Sequence, residues 1–426
     1  MTTPLPLYHG KKRQHKGIKM LTLKQFIAEQ KNTHMMHAED TVLYGGVDGV
    51  RQAIFALRSL RDMLKGSHTG KEKLSLKFDG APAVFAGIDP RDQQFFVAKK
   101  GIFNKNPKVY KTPAEIDADT SGDLADKLKL ALKYLPKLDI RGVIQGDFLY
   151  SSSDLKTEKI DGETYLTFHP NTIVYAVPAN SDLAKQIRKA KIGIVWHTSY
   201  NGTSFEDMKA SYGVNVAALS PSTNVWSQDA MIRDMSNLTL TQKETDEINK
   251  QLSEVGKIFQ KISGTTLREL ENNQELARLI ETFNNTYVRK GEQIRDTRKH
   301  ADNLIAYIKD KFEKEAEKRK TEKGKSAQYA KRDELLKFFS PANKLNLIMM
   351  FDLQNKMVDA KLKLISKLNK YNQTSTFLKT KDGYKVTGQE GYVAIDKLGG
   401  NALKLVDRME FSYANFSPDI IKGWVK

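Results

Sequence analysis

Residues 74–101 read LSLKFDGAPAVFAGIDPRDQQFFVAKKG, and their pattern decides the class of fold. Leu74–Phe78, Ala83–Ile88 and Gln94–Lys99 are short apolar and aromatic runs with the look of strands. Asp89-Pro90-Arg91-Asp92 has the chemistry of the turn between the last two. Lys77-Phe78-Asp79-Gly80 closes the first run. A lysine at a strand end, beside an aspartate and a chain-turning glycine, presents an amine to a bound ligand. The four-residue string alone also suits a surface lysine before a turn.

Outward from this stretch the strand signals continue. Gly142–Tyr150, Thr164–Phe168, Thr172–Val177 and Lys191–Thr198 are separated by turns such as Asp161-Gly162 and His169-Pro170-Asn171. That spacing predicts a largely antiparallel sheet, with one intervening helix at about 122–134. On the N-terminal side, Thr22 and Gln25 have capping-box spacing. Beyond Gly45-Gly46, the residues Val50, Ala53, Leu57, Leu60 and Leu64 form a helical apolar stripe. Arg61 sits inside that stripe, either snorkelling or aimed at a phosphate.

From about 226 to 372 the strand signals give way to helical spacing amid dense Lys and Glu. Ser340-Pro341 places an N-cap and a first-turn proline ahead of a long helix carrying Leu347, Phe351, Val358, Leu362 and Ile365. Residues 315–330 are a charged run that suits a solvated surface. The sheet resumes at Tyr392–Asp396 and Leu403–Val406, which flank the hairpin signature Gly399-Gly400-Asn401. The organisation expected is therefore a basic segment and helices over 1–70, a β-rich part over 71–225, an all-helical insertion over 226–372, and the rest of the β-rich domain over 373–426. An insertion of this kind would project as a lobe from the domain edge.

A chain of 426 residues with 39% hydrophobic and 28% charged residues has an ordinary globular composition. Its net charge of +18 favours phosphate-rich partners, nucleic acid or polyphosphate. The absence of cysteine removes thiolate metal sites, thiol nucleophiles and disulfides together. The basic start lacks the apolar stretch of a secretion signal, and Leu347–Phe351 is the longest apolar run. These features predict a soluble, cytoplasmic protein with no membrane partner.

The order of the motifs resembles the covalent nucleotidyltransferases, the superfamily of DNA ligases, RNA ligases and mRNA capping enzymes. Lys77–Gly80 resembles the nucleophile motif, and Phe96-Val97-Ala98-Lys99-Lys100-Gly101 the basic-Gly segment after it. Gln145-Gly146-Asp147-Phe148 resembles the Gly-Glu strand that holds the ribose, with Asp for Glu. Thr172-Ile173-Val174-Tyr175 resembles the strand that supplies an aromatic beneath the base. Glu390-Gly391-Tyr392-Val393 resembles the Glu-Gly strand near metal and phosphate, and Ala402-Leu403-Lys404-Leu405 the final lysine strand at the α-phosphate.

The resemblance implies an α+β fold: an antiparallel-sheet nucleotidyltransferase (ATP-grasp-like ligase) domain, interrupted by the all-α insertion. It implies Lys77 as the residue that takes up AMP, with Lys404 and Glu390 beside it. Leu76, Asp79, Gly80, Lys99, Asp147 and Tyr175 are then expected at the nucleotide, and Glu390 at a Mg²⁺ ion. ATP and Mg²⁺ are the implied cofactors and nucleic acid the implied partner, RNA ahead of DNA. A lysine must lose its proton to attack, and Lys404, Lys99 and the metal ion would promote that.

Alternatives stay open at several positions. Asp147 serves a ribose hydroxyl or caps a turn. Tyr175 stacks on a base or fills the core, with Phe168 or Trp196 as substitutes. Glu390 is a metal ligand or a partner of Lys404. Pro82, Ser75 and Val406 occupy places where such enzymes carry an arginine, an acid and a second lysine, which leaves nucleotide choice open. The chain ends at Lys426, soon after Lys404, so the appended barrel of DNA ligases and capping enzymes is not expected. Overall the chain is most similar to the RNA-ligase-like enzymes of large phages. Other activities within reach are RNA capping, protein adenylylation, or non-catalytic nucleic-acid binding on a worn fold. His34, His37, Glu39 and Asp40 form a local cluster that is either a polar helix end or a metal site.

Overall fold

The computed structural model describes residues 35–66, 73–235, 238–371, 374–395 and 402–424. The capping box expected at Thr22 and Gln25, His34, and the Gly399-Gly400-Asn401 signature lie outside them. Its strands are β1 (Lys73–Lys77), β2 (Ala83–Ile88), β3 (Phe95–Ala98), β4 (Val143–Ser151), β5 (Lys156–Ile160), β6 (Glu163–Phe168) and β7 (Ile173–Pro178). They continue as β8 (Ile192–Asn201), β9 (Lys209–Tyr212), β10 (Val225–Asp229), β11 (Ser375–Thr380), β12 (Gly383–Val386), β13 (Gly391–Ile395) and β14 (Ala402–Leu405). The longer helices are α1 (Gly46–Leu64), α2 (Pro113–Asp119), α3 (Gly122–Tyr134), α4 (Asp182–Lys189) and α5 (Gln242–Phe259). Then come α6 (Gly264–Asn272), α7 (Gln274–Lys290), α8 (Thr297–Glu317), α9 (Glu322–Leu336) and α10 (Pro341–Leu368).

The strands form sheets ordered β1-β13-β14, β10-β8-β4-β2-β3 with β9 on β8, and β12-β11-β7-β6-β5. Pairing is antiparallel except for β10, which runs parallel to β8. The chain is thus an α+β protein built on antiparallel sheets, as expected. Alternation within each strand decides what each face meets. Val84 and Ala86 of β2, Ile144 and Phe148 of β4, and Ile194 and Trp196 of β8 pack with Leu128 and Ala131 of α3. The opposite face of that sheet carries Phe85 and Val143, beside the partly exposed Gln145, Asp147 and His197.

β10 corrects the expected boundary of the helical region, because Val225–Asp229 is a strand. Its chain continues to β1, where Leu76 N–H donates to Ala230 O at 2.8 Å and Ile232 N–H to Leu74 O at 2.8 Å. The helices beyond it do not stand off as a lobe either. Leu252 and Val255 of α5, Leu279 and Ile280 of α7, and Leu353, Met357 and Leu364 of α10 share one core with Leu57 and Leu60 of α1 and with Leu76, Tyr392 and Leu405 of the first sheet. The three-stranded sheet needs one face covered, and these helices cover it.

Local signals set the helix ends. Thr112 and Glu115 close a capping box ahead of α2, and Thr241 and Glu244 another ahead of α5. Ser340 accepts from Asn343 N–H at 3.3 Å with Pro341 in the first turn, so α10 begins where its sequence indicated. Its buried residues run from Leu347 to Leu368 and include Gln354 and Lys361, a central helix contacted on several sides.

Candidate functional site

Strand register brings distant residues to one face. Lys77 stands opposite Gly391, and Ser75, Val393 and Lys404 form a row across β1, β13 and β14. Since side chains alternate, Lys77 and Lys404 share the face away from the helices, whereas Leu76, Tyr392 and Leu405 point into the core. Glu390 immediately precedes β13, and its carboxylate pairs with the Lys77 ammonium. A side chain cannot replace Gly391: its φ is +158°, and a Cβ there would lie 2.5 Å from Leu405 O.

A second wall comes from the six-stranded sheet, through Asp147 on β4 and His197 on β8. Gln145 pairs with Thr198 and Gly146 with Trp196, so His197 is the extra residue of a bulge. Its Nε2 lies 3.9 Å from Asp147 Oδ2, and its Nδ1 is 2.8 Å from Thr198 Oγ1. The loop after Lys77 presses on the same strand. A Cβ at Gly80 would sit 2.5 Å from Asp147 Cβ, which is why glycine follows Asp79.

Charges in this cleft oppose one another. Burial disfavours the Lys77 ammonium, yet Glu390, Asp147 and Asp79 outweigh it and hold its pKa above the ordinary lysine value. Burial lowers Lys404 instead, with the Lys77 charge adding to the effect. Burial pushes Glu390 up to about 7 against the pull of Lys77. It pushes Asp147 up to about 7 as well, with Lys77 and Lys100 resisting and Asp79 assisting. Burial and then the Lys77 charge lower His197 to about 4, so its imidazole is neutral at physiological pH. Lys77 by itself is therefore a held ammonium; the expectation that neighbouring cations release its proton is reversed by three carboxylates.

Several predicted residues have other engagements. Asp79 accepts from Asn171 Nδ2 at 2.6 Å, Thr172 N–H at 2.6 Å and Ile173 N–H at 2.8 Å, bolting the Lys77 loop to β7. Tyr175 is fully buried against Phe78 and Phe168, and its hydroxyl accepts from Asp79 N–H at 2.6 Å. No face of that ring is open to a base, and Phe168 and Trp196 are equally enclosed. Leu76 is a core residue at 4% exposure. Lys99 pairs with Asp119 at the end of α2, 2.9 Å away, and it is the following Lys100 whose charge reaches Asp147. Glu390 partners Lys77 rather than Lys404. Sequence reading missed His197 and Lys100: the bulge has no sequence signal, and the adjacent lysines of residues 99–100 are indistinguishable without the turn that separates them.

The cluster around His37 is a salt-bridge network. Lys361 Nζ is 2.8 Å from both oxygens of Glu39, and Arg408 Nη1 is 3.3 Å from both oxygens of Asp40. Residues 36–37 also lie along β14, with Lys404 N–H donating to Met36 O at 3.1 Å. Among the described residues no group of three or more His, Asp or Glu side chains converges as a metal cage. Nor is any helix among them long and apolar enough to cross a membrane.

The chain belongs to a family of unknown function, DUF6267, whose model matches residues 32–419. No curated protein matches it, and no solved structure does.

Proposed function

We propose that this chain is an ATP-dependent, lysine-adenylating nucleotidyltransferase of the ligase type, with Lys77 as nucleophile and a polynucleotide, RNA ahead of DNA, as acceptor. One observation carries the reading. Lys77 and Glu390 are 313 positions apart yet in contact, and the same cleft gathers Asp147 and Lys404 from two further strands. A surface lysine before a turn has no reason to collect the other motif residues around it.

The donor set suits an ion carried in on phosphates. Mg²⁺ bound to ATP needs only one or two protein carboxylates besides phosphate oxygens and water, and Glu390 would be that ligand. When bound, the ion would neutralise phosphate charge and compete for the Glu390 carboxylate. Lys77 must then shed a proton to solvent, to which its side chain is partly open, and freeing it from Glu390 removes the strongest charge that holds the proton in place. Lys404, on the same sheet face, disfavours a second ammonium and can meet the α-phosphate. In the first step Lys77 Nζ bonds to the α-phosphorus, the bond to the bridging oxygen breaks, and pyrophosphate leaves. AMP next passes to a 5′-phosphate, returning Lys77 to its free form. A 3′-hydroxyl finally attacks that phosphate and expels AMP as the strands join.

The test is incubation with α-labelled ATP or GTP and Mg²⁺, followed by denaturing electrophoresis. Label is expected on the wild-type chain from ATP and absent from Lys77→Ala. Equal labelling of Lys77→Ala removes Lys77 as nucleophile.

A further inference from the structure

His197 belongs to no motif of the resemblance, yet its placement is the most deliberate in the cleft. β8 inserts it as the extra residue of a bulge, opposite the junction of Gln145 and Gly146. Bulges re-aim a side chain, and this one turns the imidazole toward Asp147. The bulge is held in place, since Gly213 N–H donates to His197 O at 2.8 Å and Ala230 N–H to Trp196 O at 2.9 Å. Thr198 Oγ1 lies 2.8 Å from His197 Nδ1. With that hydroxyl donating to Nδ1, the proton of the neutral ring sits on Nε2, which faces Asp147 Oδ2 at 3.9 Å. At that separation the two groups face each other without a hydrogen bond, and a shift of about 1 Å in either side chain makes one. The two side chains are 28% and 18% exposed, open enough to meet a ligand.

We propose that His197 is a positioning residue: its Nε2–H holds one oxygen of Asp147, so that the other accepts the ribose 2′-hydroxyl of the bound nucleotide. The site then selects ribonucleotides over 2′-deoxyribonucleotides, because a carboxylate fixed for a hydroxyl is left unpaired without one. The proposal rests on the nucleotide-binding reading above and adds the group that sets its sugar preference. Thr198 acts one step further out, by fixing the imidazole proton.

The experiment compares ATP with 2′-dATP for wild type, His197→Ala, His197→Gln and Thr198→Val. Two readouts are used: KM and kcat of self-adenylation, and displacement of a fluorescent ATP analogue from each variant made in the Lys77→Ala background. Wild type is expected to prefer ATP. His197→Ala should raise KM for ATP about tenfold, the value of one hydrogen bond to a charged group, and leave KM for 2′-dATP and kcat nearly unchanged. His197→Gln, whose amide keeps a donor near the Nε2 position, should recover most of the preference, and Thr198→Val should lose part of it. A fall for both nucleotides alike in His197→Ala, with no recovery in His197→Gln, makes the role merely structural and overturns the proposal. An unchanged preference overturns it too. Nucleotide binding without adenylation, with the preference lost in His197→Ala, would sink the Lys77 chemistry and leave His197 in its role. No nucleotide binding by any form overturns both.

Discussion

At Asp147 the cost of holding a carboxyl can be separated from its use. Burial raises its pKa to about 7, above the unfolded value near 3.9. Its contribution to stability is thus fully present below about pH 4 and is lost as pH rises through about 7. Asp147→Asn should accordingly stabilise the protein by roughly 1–3 kcal/mol at pH 8 and by little at pH 4, read from urea denaturation at the two pH values. No gain at pH 8 would mean that Lys77 and Lys100 fully compensate the charge. Glu390→Ala and Lys404→Ala should keep the fold and each lower adenylation by at least about tenfold, roughly 1.4 kcal/mol of transition-state stabilisation. Wild-type rates in a labelling time course would remove both from the site. The resemblance, through the order of its motifs, singles out Lys77, Glu390, Lys404 and Asp147, and the fold brings them together because each lies on or beside a strand whose register fixes it. Tyr175 and Lys99 were not legible, because a buried ring and an outward lysine follow from packing that no local pattern encodes.

On α10 the informative position is Lys361, at 1% exposure, which answers the Glu39 carboxylate from the far end of the chain. Lys361→Met should destabilise the protein by about 3–5 kcal/mol, because Glu39 would remain buried without its closest cation. Adding Glu39→Leu should return much of that loss, as apolar residues of similar volume often replace a buried pair. A single-variant loss below about 1 kcal/mol in chemical denaturation would show that Arg408, 3.7 Å from Glu39, suffices alone. The cap at Ser340 and the stripe of α1 were readable because both are written within a few residues. β5, β9 and β12 escaped detection because their burial patterns are largely exposed or intermediate, and β11 because its buried residues, Thr376–Leu378, run consecutively without alternation. β10 escaped because its parallel partner β8 is remote from it in sequence terms and contributes no turn signal.

Among the described residues the largest core is shared by α1, α5–α10 and the strands β1, β13 and β14, which carry Lys77 and Lys404 and flank Glu390. Replacing residues 242–368 by a short Gly/Ser linker should therefore abolish cooperative thermal unfolding rather than trim a lobe, since Leu76, Tyr392 and Leu405 would face water. A shortened chain that unfolds cooperatively near the wild-type temperature would show the helices to be dispensable. Sequence periodicity identified these helices but not their partner, since an apolar stripe states that a face is buried and not against what. The same core steadies the polar face where the proposed chemistry takes place, so the decisive measurement is covalent. Wild-type protein treated with ATP and Mg²⁺, digested and mapped by mass spectrometry, should carry one AMP on the peptide containing Lys77, and the adduct should be acid-labile as a phosphoramidate. An adduct mapped to any other residue, or none under conditions where the protein binds ATP, would contradict the account.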